Sequence, residues 1–190
     1  MKKSLFSLAL VTFLSAAAVT NVSAQANKMP GTVMVGGAAM YPTKNIVENA
    51  VNSKDHTTLV AAVKAAGLVE TLSSAGPFTV FAPTNEAFNK LPAGTVETLV
   101  KPENKATLTK ILTYHVVAGR MTAADLKKAI KAGGGKATLK TVSGGTLTAM
   151  IKGKTIELKD EKGGMSTVTI ADVMQSNGVI HVVNTVLMPQ

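Results

Sequence analysis

The chain has 190 residues, 20 lysine plus arginine against 11 aspartate plus glutamate, a net charge of +9, no cysteine and 4% aromatic residues. Without cysteine there is no disulfide, thiol chemistry or thiolate metal site, so stability has to come from a packed core, which a chain of this length can build. The positive charge is dispersed lysine with Arg120 as the single arginine, and scarce aromatics leave few stacking platforms, which argues against nucleic acid as a partner.

Residues 1–24 read as a secretory signal peptide. Lys2 and Lys3 precede an apolar stretch from Leu5 to Val19, and Val22-Ser23-Ala24 puts small residues at the cleavage site. No cysteine follows to carry a lipid anchor, and no later segment is apolar enough to span a membrane, so the mature product is expected to be secreted or periplasmic. Residues 25–42, rich in glycine and proline and without a period, read as a flexible lead-in. One domain is expected over residues 43–190.

Helical spacing begins with Ile46, Val47, Ala50 and Val51 and resumes with Leu59, Val60, Val63 and Ala66, where Gly67 supplies a C-cap. Pro77 to Pro83 alternates Phe78, Val80 and Ala82 against Thr79 and Phe81, the pattern of a strand. Thr84 is a suitable N-cap for a short helix. Leu108, Ile111 and Leu112 form another helical stripe running into Tyr114-His115, and Thr122 to Asp125 resembles a capping box whose helix stops at Gly133-Gly134-Gly135. The period then switches to two through four short segments, an antiparallel meander. Asn177-Gly178 marks a tight turn into a last strand, with pairing expected to run to Met188-Pro189, where proline has no N–H to donate. Helices first and strands later is the α+β pattern.

In that last strand Val179, His181 and Val183 point one way and Ile180 and Val182 the other. Apolar on both faces, the strand is expected to be covered on both sides, with His181 a hydrogen-bonded core histidine. His56, His115 and His181 lie far apart in sequence, and neither a His-Glu-x-x-His run nor a Gly-x-Ser-x-Gly elbow is present. Nothing in the spacing asks for catalysis, a metal or a cofactor.

Three segments, GPFTVFAPTNEAF (76–88), YHVVAG (114–119) and NGVIHVVNTVLMP (177–189), closely resemble in wording and order the signatures of the fasciclin domain family. The resemblance covers Asn45 to Pro189 and rests on Phe81, Pro83, Thr84, Asn85, Asn177, Gly178 and His181. It implies a fasciclin-like fold, a β-wedge of two mostly antiparallel sheets packed with helices drawn mainly from the N-terminal half, in which the two outer signatures are neighbouring central strands. It also implies a non-enzymatic adhesion or interaction module.

The partner implied is a cell-surface or matrix protein or an acidic polysaccharide, with self-association into a homo-oligomer as one way for a single domain to bridge two surfaces. The resemblance further offers a candidate partner-binding surface at Tyr114-His115 and at Asp172-Val173. There Val173 stands where matrix members have isoleucine, and Ile170-Ala171 where some have Glu-Pro. A second reading is a carrier of a small apolar ligand such as a carotenoid or lipid, lined by Met34, Met40, Met150, Met165 and Met174.

Overall fold

The computed structural model describes residues 30–190; the segment read as a signal peptide and the first residues of the lead-in lie outside that range. A two-stranded hairpin comes first, β1 (Val33–Val35) and β2 (Ala38–Met40). Three helices follow: α1 (Ile46–Ala50), α2 (Thr57–Ala66) and α3 (Val69–Ser73). Strand β3 (Phe78–Pro83) leads into α4 (Asn85–Asn89), α5 (Thr95–Leu99) and α6 (Lys105–Tyr114), and then into β4 (Val116–Ala118) and α7 (Ala123–Ala132). The meander is β5 (Lys136–Lys140), β6 (Thr146–Lys152), β7 (Thr155–Lys159) and β8 (Met165–Gln175), and β9 (Gly178–Val183) closes the order.

Local chemistry accounts for most boundaries. Asn45 and Glu48 form a reciprocal capping box at α1, and Thr122 and Asp125 form another at α7. Thr84 caps α4 by accepting from the Ala87 N–H at 3.2 Å. Gly67 ends α2 at φ 73°, a conformation that a side chain would strain.

Seven strands run in the order β4-β3-β9-β8-β7-β6-β5. Every neighbour is antiparallel except the central β3–β9 pair, parallel in register from Phe78 opposite Gly178 to Pro83 opposite Val183. The eleven residues of β8 span both halves of the sheet, pairing through Met165–Thr167 with β7 and through Val168–Gln175 with β9. Val117 bridges Thr141, and the Val142 N–H reaches the Val116 carbonyl at 2.8 Å, so β4 and β5 nearly close the sheet on itself. The α+β class stands.

The β3–β9 pair separates two cores. Val80, Ala82, Ile180 and Val182 point into a core shared with α1, α2, α3 and α6. Phe81 and Val183 point the other way, into a core shared with α7 and the meander. Alternation along the two signature strands therefore feeds both sides, and that is why β9 is apolar throughout.

Two expectations need correction. The lead-in is not featureless, because residues 33–40 form the β1–β2 hairpin, and Val35 and Met40 are buried. Gly36 and Gly37 both have positive φ (56° and 74°), which a two-residue hairpin turn requires. A Cβ on Gly36 would stand 2.4 Å from Ser53 Oγ, so the hairpin tip is pressed against the turn before α2. Second, pairing of the last strand ends at Val183, not at Met188-Pro189. Beyond it the chain is docked through polar anchors: Leu187 N–H on His115 Nε2 at 3.0 Å and Met188 N–H on Asp160 Oδ2 at 2.9 Å.

Candidate functional site

The signature residues are joints between elements. Asn85 Oδ1 accepts from the Thr58 N–H at 3.0 Å, and its amide donates to the Lys54 carbonyl at 2.8 Å, fixing α4 to the start of α2. Asn177 accepts from the Ile46 N–H at 3.0 Å and donates to the Leu72 and Ser74 carbonyls at 2.8 and 2.9 Å, holding the β8–β9 turn against α1 and α3. Gly178 has to be glycine, since a Cβ there would meet the Phe78 carbonyl oxygen at 2.2 Å. Pro83 ends β3, and the next residue, Thr84, returns its N–H to the Val183 carbonyl at 3.3 Å.

Tyr114 and His115 end α6 inside the protein. The Tyr114 hydroxyl donates to the Thr146 carbonyl at 2.6 Å and accepts from the Glu161 N–H at 3.1 Å, and burial pushes its pKa up to about 12. A Cβ on Gly145 would lie 2.8 Å from the ring, so glycine there lets the meander close over the tyrosine. His115 Nδ1 meets the Ile111 carbonyl at 2.9 Å, which makes Nδ1 the donor and leaves Nε2 to accept from Leu187. Burial lowers the His115 pKa to about 4.

Asp172 sits at a β-bulge in β8 with φ 57°, the one non-glycine residue with positive φ among the described residues. Its Oδ1 accepts from the Ala123 N–H at 2.6 Å, at the start of α7, and its own N–H donates to His181 Nδ1 at 3.3 Å. His181 Nε2 must then donate to the Met121 carbonyl at 2.8 Å, and the ring stacks on Phe81 with centroids 5.7 Å apart. Burial lowers the His181 pKa. Val173 is buried in the helical-side core.

The four proposed partner-binding residues therefore do not make one surface. Tyr114, His115 and Val173 are buried, and Asp172 alone keeps partial exposure. They knit α6, α7, the β8 bulge and the C-terminal segment together. Nor do the five methionines line a common cavity: Met34 and Met165 are 52% and 41% exposed, and Met40 alone of the five borders the cavity described next.

That cavity, of about 60 Å³, lies in the helical-side core between the hairpin, α1, α2 and the β3–β9 pair. Its walls are mostly apolar, with Ser53, His56, His115 and the exposed Lys64 as the polar members of the lining. His56 is buried, with Nδ1 2.9 Å from Ser53 Oγ. Its Nε2 has no hydrogen-bond partner. Desolvation lowers its pKa, opposed by the nearby Ala82 backbone and the Asp55 charge, although Ala82 stands outside hydrogen-bond geometry with Nε2. Sequence reading passed over His56 because its neighbours Lys54, Asp55 and Thr57 look like an exposed turn.

The exposed side chains from α7 through the meander are predominantly basic. Lys127, Lys128 and Lys131 on α7, Lys136 and Lys140 on β5, and Lys152, Lys154, Lys159 and Lys162 around the meander are all exposed. Among the described residues one ion pair is formed, Lys152 to Glu157 at 3.1 Å. No group of three or more histidine, aspartate or glutamate residues is placed to hold a metal, and no helix is long and apolar enough to cross a membrane, among the described residues.

Comparison with known proteins bears on the fold and the architecture of these joints. The fasciclin domain pattern matches residues 54–189. Protein sll1483 of Synechocystis is 49% identical over 158 residues, covering 83% of this chain and 81% of its own. The immunogenic protein MPB70 of Mycobacterium bovis is 35% identical over 164 residues, covering 84% and 75%. A solved domain pair from the insect cell adhesion molecule Fasciclin I superposes with a TM-score of 0.68 at 18% identity, over 76% of this chain and 51% of that one. None of the three is named for a catalytic activity.

Proposed function

This chain belongs to the fasciclin family, and from that membership we propose an exported adhesion module whose lysine face holds an acidic polysaccharide or an equally anionic cell or matrix surface. The observation that carries the reading is charge placement. Between residues 127 and 162 nine lysines face three acidic residues, Glu157, Asp160 and Glu161. Asp160 is buried and accepts from the Gly164 and Met188 N–H groups, so of the three only Glu157 and Glu161 stand among the exposed lysines. Such a face attracts polyanions over about a Debye length and weakens as salt rises.

The test is retention of the full chain on dextran sulfate against neutral dextran, between about 0.05 and 0.5 M salt. Selective retention lost at high salt, and weakened by the triple substitution Lys127→Gln, Lys128→Gln, Lys131→Gln, is the expected result. Equal retention on both matrices sinks the proposal. Export is read separately, by N-terminal sequencing of the protein from its own cells, where a start at Gln25 is expected. For the carrier reading, the cavity of about 60 Å³ in the helical-side core is well below the roughly 300–1,000 Å³ of drug-sized ligand pockets and does not fit a carotenoid or lipid. An open groove of about 440 Å³ between β4, α7 and β5 is a larger space, and none of the five methionines lines it.

A further inference from the structure

Among the described residues two buried side-chain atoms lack a partner, Thr32 Oγ1 and His56 Nε2. The second belongs to His56, a residue of the cavity wall that is 3% exposed. Folded proteins pair nearly all such atoms, so an imidazole nitrogen that has the Ala82 backbone nearby but no hydrogen bond of good geometry, in the wall of a cavity, needs an explanation. Water is a poor one, since a buried water typically makes two to four hydrogen bonds and these walls are hydrocarbon almost throughout.

The chemistry of an occupant can be read from the walls. Ser53 Oγ either donates to Nδ1 or accepts from it, so Nε2 is a donor in one tautomer and an acceptor in the other. A hydroxyl group serves both. A carboxylate would be buried without a cation, because Lys64, the only cationic residue of the lining, is exposed. The volume of about 60 Å³ is less than half of the roughly 150 Å³ that holds benzene in an engineered apolar cavity. It suits a chain of about three or four carbons, by the ~10–15 Å³ that one probe sphere needs.

The walls also show where the site comes from. Val35 and Met40 of the hairpin, with Ile46 and Ala50 of α1, form one side. All four precede the segment matched by the family pattern, which begins at residue 54. The hairpin tip rests on the Ser53 turn, where the Lys54 N–H bonds to the Gly36 carbonyl at 3.1 Å. The N-terminal segment thus both walls the cavity and clamps the turn that carries His56.

We propose that this cavity is a binding site for a short-chain alcohol or similarly small hydroxylated apolar molecule, anchored by its hydroxyl on His56 Nε2 and enclosed by the β1–β2 hairpin. The proposal is independent of the lysine face, and failure of either leaves the other standing.

The test follows the His56 ring resonances by NMR while the full chain is titrated with 1-butanol and, as an apolar isostere, n-pentane. The expected result is a saturable shift with butanol and at least about tenfold weaker binding of pentane, the discrimination that one buried hydrogen-bonding group supplies. Ala50→Phe, which fills the cavity from α1, should abolish the butanol response and leave the His181 signals in place. Because the alcohol–alkane comparison uses the unaltered chain, it stands even if that variant does not fold. No saturable shift, equal response to both probes, or a bound water at Nε2 that butanol does not displace would each overturn the proposal.

Discussion

The two faces of the β3–β9 pair meet cores that treat polar atoms differently. On the meander side the Tyr114 hydroxyl has two partners, Asp160 accepts two backbone N–H groups, and Leu126, Leu147, Leu158 and Leu187 are fully enclosed. On the helical side His56 keeps a nitrogen unpaired beside a cavity. Construction explains the contrast. Paired strands hold their side chains at fixed spacing, and α7, ten residues long, lays a continuous stripe across them. The helical side also has ten-residue helices, α2 and α6, but around His56 it is completed by a hairpin of three-residue strands and the five-residue helices α1 and α3, too short to offer long ridges and grooves.

The largest expected effect tests whether the two cores differ in packing. Leu147 and Leu59 undergo the same substitution on opposite sides of the central strands. Leu147→Ala should lose about 4–5 kcal/mol in urea denaturation, at the upper end for a fully surrounded leucine. Leu59→Ala should lose about 2–3 kcal/mol, because its cavity-facing atoms already lack neighbours. Equal losses would remove the distinction between a sealed and an open core.

Much of this architecture is legible in the sequence, for a physical reason. Thr122, Thr84 and Gly67 act through bonds within a few residues, so their caps can be read locally. Alternation along Phe78–Pro83 and Gly178–Val183 likewise encodes which side each residue faces. That those strands are neighbours follows from the resemblance, whereas nothing local encodes their parallel direction. The hairpin at 33–40 was readable in principle from Gly36-Gly37, but its strands are too short to show a period. The burial of Tyr114, His115 and Val173 is invisible for another reason. It depends on the meander and C-terminal segment folding over them, contacts far apart in sequence. The place of His56 in a cavity wall is not legible in the sequence because that cavity is built by separate segments.

A second expectation concerns acid, which reaches both cores. His56, His115 and His181 all have pKa values lowered by burial. The unfolded chain binds a proton at each below about pH 6.5 while the folded chain still refuses it, so stability is complete above that pH and declines below it. For His115 the decline continues to about 4, worth on the order of 3 kcal/mol at 1.36 kcal/mol per pH unit. Urea midpoints should hardly change between about pH 8 and 7 and then fall steeply toward about pH 4.5. A flat profile through that window would mean that the histidines are hydrated and that neither core is closed to water.

The smallest effect is the most discriminating. Ser53→Ala alone strips the remaining partner from His56 and should cost about 1–3 kcal/mol. Adding His56→Leu removes the orphaned nitrogen with its partner and puts hydrocarbon against hydrocarbon, so the double variant should return to within about 1 kcal/mol of the parent or exceed it. The matching His115→Leu cannot recover in this way. It leaves the Ile111 carbonyl and the Leu187 N–H unpaired on the backbone, where no second side-chain change restores them. If the Ser53–His56 double variant is as unstable as His115→Leu, then His56 is an architectural joint like the others and its free nitrogen has no ligand to explain. If it is stable but no longer distinguishes butanol from pentane, the imidazole is dispensable to the fold, and its place in the cavity wall is explained by what it binds.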